Sequence, residues 1–227
     1  TVTGVQTCAL PISIQALVKL AKEKNPYLAA RAVWLLAQLG EKGAREILNL
    51  RGDSTPQARI TAFRALRRAG HSGTMELARK LVGDKSPAVR REIAFYLRNE
   101  PGTPEVISTL VKIAKGYDGK DRSYLEAFGT GATDKEEAVY AALVKDVKGA
   151  AWDGATAGAV WRLMTAAAIP ALRDRVFDGN LEAEDRMQAL ESIAFVRSGS
   201  AATAMVEIAN LAPDKELAER AGFWVKW

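Results

Sequence analysis

The sequence predicts an all-α fold, an α-α superhelix or solenoid of about six to seven helical hairpins, and three observations carry that expectation. An aspartate stands six residues before an arginine at Asp53/Arg59, Asp84/Arg90 and Asp214/Arg220, and nowhere else in the chain. Prolines recur at Pro26, Pro56 and Pro87, a period of about 30 residues that belongs to stacked supersecondary units. Each proline is followed ten residues later by a leucine (Leu36, Leu66, Leu97) and fourteen later by a breaker (Gly40, Gly70, Pro101), which marks one helix from first turn to stop. The period-2 alternation of β-branched residues that would announce strands is absent.

The elements follow in order. A helix is expected over 14–23. Hairpins then pair 26–39 with 42–50, 56–69 with 73–82, 87–99 with 104–115, 120–131 with 134–147, 156–166 with 168–178 and 183–197 with 200–211, and a last helix starts near 214. In the first helix of a hairpin an arginine precedes apolar positions three, four and seven residues on, which is one helical face. Arg59, Ala62, Phe63 and Leu66 show it, as do Arg90, Ile93, Ala94 and Leu97. It returns at Arg186, Ala189, Leu190 and Ile193, and at Arg220, Phe223, Trp224 and Trp227. The second helices carry their own stripe, clearest at Val106, Ile107, Leu110 and Ile113.

The chain has 227 residues, the size of one domain or one continuous array. Its 48% hydrophobic and 26% charged residues place it with folded globular chains, and no run of about 18 apolar residues predicts a membrane span. Residues 2–12 break the repeat rhythm and resemble one reading frame of a sequencing-library adapter. Residues 1–13 are therefore set aside as a non-native leader and 14–227 as the array. A signal-peptide remnant is the alternative, but a basic start and a long apolar centre are missing. The only cysteine, Cys8, lies in this leader, which leaves the rest without a disulfide, thiolate ligand, cysteine nucleophile or haem attachment motif. The helices at 14–23 and from 214 lack partners, and Phe223, Trp224, Val225 and Trp227 are no polar cap, so the array is expected to be truncated at both ends.

Charge is uneven. Residues 1–113 hold 18 Lys and Arg against 9 Asp and Glu, whereas 114–227 hold 14 against 18. A basic half attracts phosphates or an acidic partner. The repeated Asp and Arg read as a structural ladder of Asp53, Arg59, Asp84, Arg90, Asp214 and Arg220. The aspartate caps the helix start, and each arginine reaches an aspartate of a neighbouring unit; Asn180/Arg186 is a weakened rung. Arg64, Arg67, Arg68 and Arg91 lie off the ladder and, with Trp152 in a Gly-rich connection, form a possible binding surface; for Trp152, the aromatic most open to exposure, filling a gap between imperfect repeats is favoured over lining a groove. Aromatics for stacking bases are sparse, so a solvated helix face competes with a phosphate track. His71 lacks the neighbours of a metal site or triad and reads as a loop residue. The acidic groups Asp134, Glu136, Glu137 and Glu182, Glu184, Asp185 stand at helix starts, where they complement the dipole. No catalytic, cofactor-binding or metal residue is assigned.

The stretch Asp84 to Leu97, DKSPAVRREIAFYL, resembles the first helix of a HEAT repeat, with its turn aspartate and Val-Arg pair. The resemblance covers 14–227, strongest over 53–115 and weakest over 150–180, where Asp and Arg are missing. It implies an armadillo-type α-solenoid that binds macromolecules or packs on neighbouring domains. A narrower resemblance rests on Tyr117 to Ala132, YDGKDRSYLEAFGTGA, which looks like the HEAT segment of large bacterial membrane-bound dehydrogenase-type, c-type haem-binding proteins. Ser123 departs from that pattern, where an aromatic is frequent. This second resemblance implies a segment between a β-propeller and a cytochrome c domain, in an extracytoplasmic, periplasmic protein.

The function expected is a non-catalytic scaffold, an interaction surface and interdomain spacer of a larger redox protein, with no cofactor in this segment and no enzyme activity of its own. Its partners are flanking domains of the same chain or another protein, without a membrane. The alternatives are a HEAT-like nucleic-acid-binding protein or alkylpurine DNA glycosylase using the basic half, and a repeat protein of the bilin-lyase type.

Overall fold

The helix starts are written in local chemistry. In the computed structural model, which describes residues 14–50, 55–147 and 151–226, Asn25 Oδ1 accepts the N–H groups of Tyr27 and Leu28 ahead of Pro26. Thr55 and Thr103 accept from Ala58 and Val106 ahead of Pro56 and Pro104. Proline at the first helical position sacrifices an N–H that has no helical partner anyway, while the cap satisfies another. Asp121, Asp153, Ser198 and Asp214 do the same for later helices. Gly70 follows the helix that starts at Pro56 with φ of 68°, and Gly40 turns the chain from one helix into the next with φ of 65°, left-handed turns that cost glycine little.

The helices are α1 (14–20), α2 (Pro26–Ala37), α3 (Gly40–Leu50), α4 (Pro56–Arg68), α5 (Thr74–Leu81), α6 (Pro87–Leu97) and α7 (Pro104–Lys115). They continue with α8 (Arg122–Ala132), α9 (Glu136–Val144), α10 (Gly154–Leu163), α11 (Ile169–Phe177), α12 (Ala183–Ala194), α13 (Gly199–Leu211) and α14 (Lys215–Val225). A 3-10 turn, Ala166–Ala168, precedes α11. The described residues contain no strand. The hairpins expected from the sequence are present: this is an all-α fold of the α-solenoid class. Residues 1–13, expected to be a non-native leader, lie outside the described residues, as do Asp53 and Trp227.

The chain divides into two compact units, residues 1–93 and 94–227. In the first, α2 packs on α3 and α4, and α4 on α5. Leu36, Ile47, Phe63 and Leu66 are at most 1% exposed there. In the second, the first helices of successive hairpins, α8, α10, α12 and α14, form one layer. The second helices α7, α9, α11 and α13 form the other, with the 3-10 turn between α9 and α11. Leu110, Ile113, Phe128, Val176, Leu190 and Ile208 fill the space between the layers.

Two details differ from the expected map. Helix α10 starts at Gly154 because Asp153 accepts the Thr156 N–H at 2.7 Å. It stops at Leu163 because Met164 turns left-handed, with φ of 49°. Neighbouring segments also approach closely. A Cβ at Gly131 would stand 2.5 Å from the Ala94 carbonyl oxygen, and one at Gly158 2.7 Å from the Tyr117 ring. These glycines are required by packing, and α8 and α10 contain no phosphate loop.

Replacing Gly131 by Ala should therefore cost about 1–3 kcal/mol in urea unfolding, the range for overpacking against backbone that cannot move aside. Gly199→Ala, in open space at the start of α13, should change stability by less than about 0.5 kcal/mol.

Candidate functional site

The repeated arginines meet acidic groups, but not in one way. Arg59 on α4 donates to both carboxylate oxygens of Asp84, Nε to Oδ2 at 2.6 Å and Nη2 to Oδ1 at 2.8 Å. Asp84 also accepts the Ser86 N–H at 2.8 Å, and its side chain is 8% exposed. The Arg59 bond, together with the Ser86 N–H and the charges of Arg59 and Arg90, holds the Asp84 carboxyl below its usual range against the opposing effect of burial. The same pair raises Arg59. Arg90 donates to the Asp84 backbone carbonyl at 2.6 Å, so it fastens the turn. Arg186 donates to the Val176 carbonyl at 3.0 Å and reaches Asp214, the cap of α14, at 3.4 Å. Arg220 turns instead to Glu191 at 2.5 Å and lies over the rings of Phe223 and Trp224.

A further set of pairs links neighbouring first helices. Arg64 on α4 donates to Glu92 on α6 at 2.6 Å, and Arg67 stands 3.9 Å from the same carboxylate. Glu92 is 6% exposed. Glu126 on α8 bridges Arg122, one turn before it, and Arg162 on α10, each at 2.7 Å, and both lower its pKa. These pairs escaped the sequence reading because no fixed spacing joins them. The available signal was opposite charge one turn apart at equivalent places in successive first helices.

This arrangement changes the basic stripe. Arg64 and Arg67 are held on Glu92, Arg98 on Asp134 at 3.1 Å, and Lys80 on Glu76. Arg68 is exposed and Arg91 half-buried. Trp152, favoured as a gap-filler between imperfect repeats and offered second as an exposed groove residue, is 8% exposed. Its ring lies 5.2 Å from the guanidinium of Arg175, itself 2% exposed, whose pKa is pushed down by burial. The indole fills the irregular repeat and faces a buried cation, so it is no surface contact.

A groove of about 850 Å³ in the second unit opens beside the first helices. One wall comes from the 117–132 stretch. Tyr117 stacks on Tyr124 with ring centroids 6.2 Å apart, and the Tyr124 hydroxyl donates to the Ile113 carbonyl at 2.8 Å. Asp118 accepts the N–H groups of Lys120 and Asp121, and Asp121 caps α8. This turn sets Arg122 with its guanidinium 4.7 Å from the Trp161 ring centroid. The opposite wall is acidic, with Glu184, Asp185 and Glu191 on α12 and Asp214 and Glu216 at the start of α14. Glu184 and Asp185 thus sit in a helical first turn, as expected, and also line a groove.

His71 accepts the Gly73 N–H at Nδ1, 3.0 Å away, and places Nε2 3.3 Å from Glu41. Among the described residues, no three His, Cys, Asp or Glu side chains converge as metal ligands. No helix among them is long and apolar enough to cross a membrane.

Helical hairpins stacked in two layers define a repeat protein, and comparison with known proteins agrees. The family described as HEAT repeats matches residues 46–129. No curated protein matches the chain. Among solved structures, human deoxyhypusine hydroxylase in complex with glycerol is similar at 15% identity and a TM-score of 0.42, covering 98% of this chain and 99% of that one. The complex of CpcE and CpcF of phycocyanin lyase from Nostoc sp. PCC7120 is similar at 14% identity and a TM-score of 0.41, covering 94% and 93%. The expectation that the segment is no enzyme is corrected by these two structures, whose names are those of a hydroxylase and a lyase.

Two outcomes follow for Arg59 and Asp84. Arg59→Ala should lower stability by about 2 kcal/mol, since it strips a buried carboxylate of its charged donor. Because the folded pKa of Asp84 is depressed, its contribution is present above the unfolded value and is lost as pH falls through the folded one. Wild type should therefore lose its advantage over Asp84→Asn as pH drops below about 4, followed by urea unfolding at each pH.

Proposed function

We propose that this chain is a HEAT-repeat scaffold, a protein-interaction surface and interdomain spacer within a larger, redox-type bacterial protein. The observation that supports it best is the groove of the second unit. The distinctive 117–132 stretch supplies Tyr117, Gly119, Arg122 and Leu125 to a wall completed by Trp161 and faced by the carboxylates of α12 and α14. An aromatic and a guanidinium opposite exposed acids suit recognition of a protein surface, where aromatic and arginine anchors carry most of the affinity. Within the second unit successive hairpins pack on one another, and α7 also reaches α10, so the stack is suited to hold what packs on it in place. The redox context and the extracytoplasmic setting rest on the resemblance of the 117–132 stretch. The nucleic-acid reading is weakened because Arg64 and Arg67 already neutralise buried Glu92.

A photo-crosslinking side chain at Gln188, in the groove, should give one discrete adduct with a protein of the parent cell. The same group at Lys112, on the second-helix layer, should not. Trp161→Ala combined with Glu184→Lys should remove the adduct while leaving the melting temperature within a few degrees. Equal adducts from both positions, or none from Gln188, would reject the groove as the interaction surface. DNA binding that falls steeply with salt and survives the groove variants would favour the nucleic-acid reading.

A further inference from the structure

The groove beside the first helices of the second unit is not balanced in charge. Its lining brings together five carboxylates, Glu184, Asp185, Glu191, Asp214 and Glu216, with one cation, Arg122. Arg122 is already held on Glu126 at 2.7 Å and over the Trp161 ring. Three of the five acids are engaged as well. Glu191 accepts from Arg220, Asp214 accepts from Arg186 and caps α14, and the charge of Asp185 acts on buried Arg175. Glu184 and Glu216 differ: both are exposed, and neither has a cation within ion-pair distance among the described residues. They are the second residues of α12 and α14, which are neighbours in the first layer. The same lining is apolar at Trp161 and Met187, both half-buried, and at buried Leu125 and Leu217.

We propose that the occupant of this groove is a basic segment of another protein, which sets lysine or arginine heads against Glu184 and Glu216 and lays their aliphatic stems on Trp161 and Met187. The inference rests on the groove being an interaction surface and names the chemistry of what it takes. A long cationic side chain suits both parts of such a lining, because its methylene stem covers apolar surface while its head stays with the carboxylates. The unit already contains this combination internally. Arg122 lies over the Trp161 ring and donates to Glu126, and Arg220 lies over Phe223 and Trp224 and donates to Glu191. An acidic occupant fits poorly: the one cation it could meet is neutralised by Glu126, and it would approach two acids that have no cation of their own. The whole chain carries a net charge of +5, so a basic segment is repelled at long range and its attraction is local to this lining.

The test titrates the full chain with a dye-labelled, end-blocked peptide of alternating Lys and Ala, read by fluorescence anisotropy at low salt. The same peptide with Glu in place of Lys is the comparison, and spermine is the competitor. The Lys peptide should bind, and Glu184→Gln combined with Glu216→Gln should weaken it about tenfold. Neither glutamate has an ion partner to lose, so the melting temperature of that variant should stay within a few degrees of wild type. Glu105→Gln combined with Glu137→Gln removes two charges from the same place in the second helices α7 and α9, and should leave the affinity within about twofold. No binding of the Lys peptide, tighter binding of the Glu peptide, or equal losses in the two double variants overturns the basic occupant. Displacement by spermine at a lower concentration than the peptide also overturns it, because a free polyamine rather than a protein segment would then fill the groove. The titration needs no partner from the cell, so it is independent of the Gln188 adduct. An adduct that survives Glu184→Gln combined with Glu216→Gln overturns the basic occupant while the interaction surface stands.

Discussion

No hairpin in this protein can bury its apolar face alone, and every other feature depends on that constraint. A helix of some 11 residues is marginal in water, and two of them still leave a face uncovered. The cover comes from adjacent hairpins: Leu190 and Ile193 of α12 and Ile208 of α13 are at most 1% exposed where the two layers meet. Burial of this kind has no direction, however, and would tolerate a slip of one helix along another. The charged pairs between neighbouring helices have direction. Arg59 meets Asp84 with two nitrogens on two oxygens, which fixes α4 against the turn that opens α6 in angle as well as distance.

The pairs also explain why so many charges sit close to the layers without destabilising them. Asp84 at 8% side-chain exposure and Glu92 at 7% would be costly as isolated carboxylates, and each has at least one arginine donor. The more exposed pairs, such as Arg122 with Glu126, contribute less to stability. Their consequence is placement: Glu126 fixes Arg122 and Arg162 from one carboxylate, and Arg122 is thereby set over Trp161 at the groove.

The helices were legible in the sequence because their ends are local events. Proline after a capping Asn or Thr, and glycine where φ must be positive, act within four residues and do not wait for the tertiary fold. What was not legible is set by distant neighbours. Met164 ends α10 in a left-handed turn with no glycine to announce it, and Trp152, favoured as a gap-filler, gives no local sign of the residue it packs against. Its burial comes from Arg175, 23 residues away, which only the folded chain brings near. The groove is similar. Glu184 and Asp185 read as dipole complements of α12, and they are in its first turn, but α8, α10 and α14 decide that they also face Trp161 and Arg122.

The irregular region around Trp152 shows how the array accommodates a missing rung. Between Gly149 and Arg186 the chain contains no Asp–Arg pair at the repeat spacing. In its place Arg162 reaches back to Glu126, while Arg186 reaches forward to Asp214. The 3-10 turn at Ala166–Ala168 takes up the offset between α9 and α11. Beyond the irregular hairpin links run both ways, since Arg220 also reaches back to Glu191, and the groove lies between the links at Glu126 and at Asp214. A regular repeat would carry the same bridge at each step and leave adjacent first helices evenly covered. The irregular hairpin contributes Trp161 to the groove, which lies there beside the carboxylates of α12 and α14, so the stretch where the repeat is weakest in sequence is also one that shapes the groove's lining.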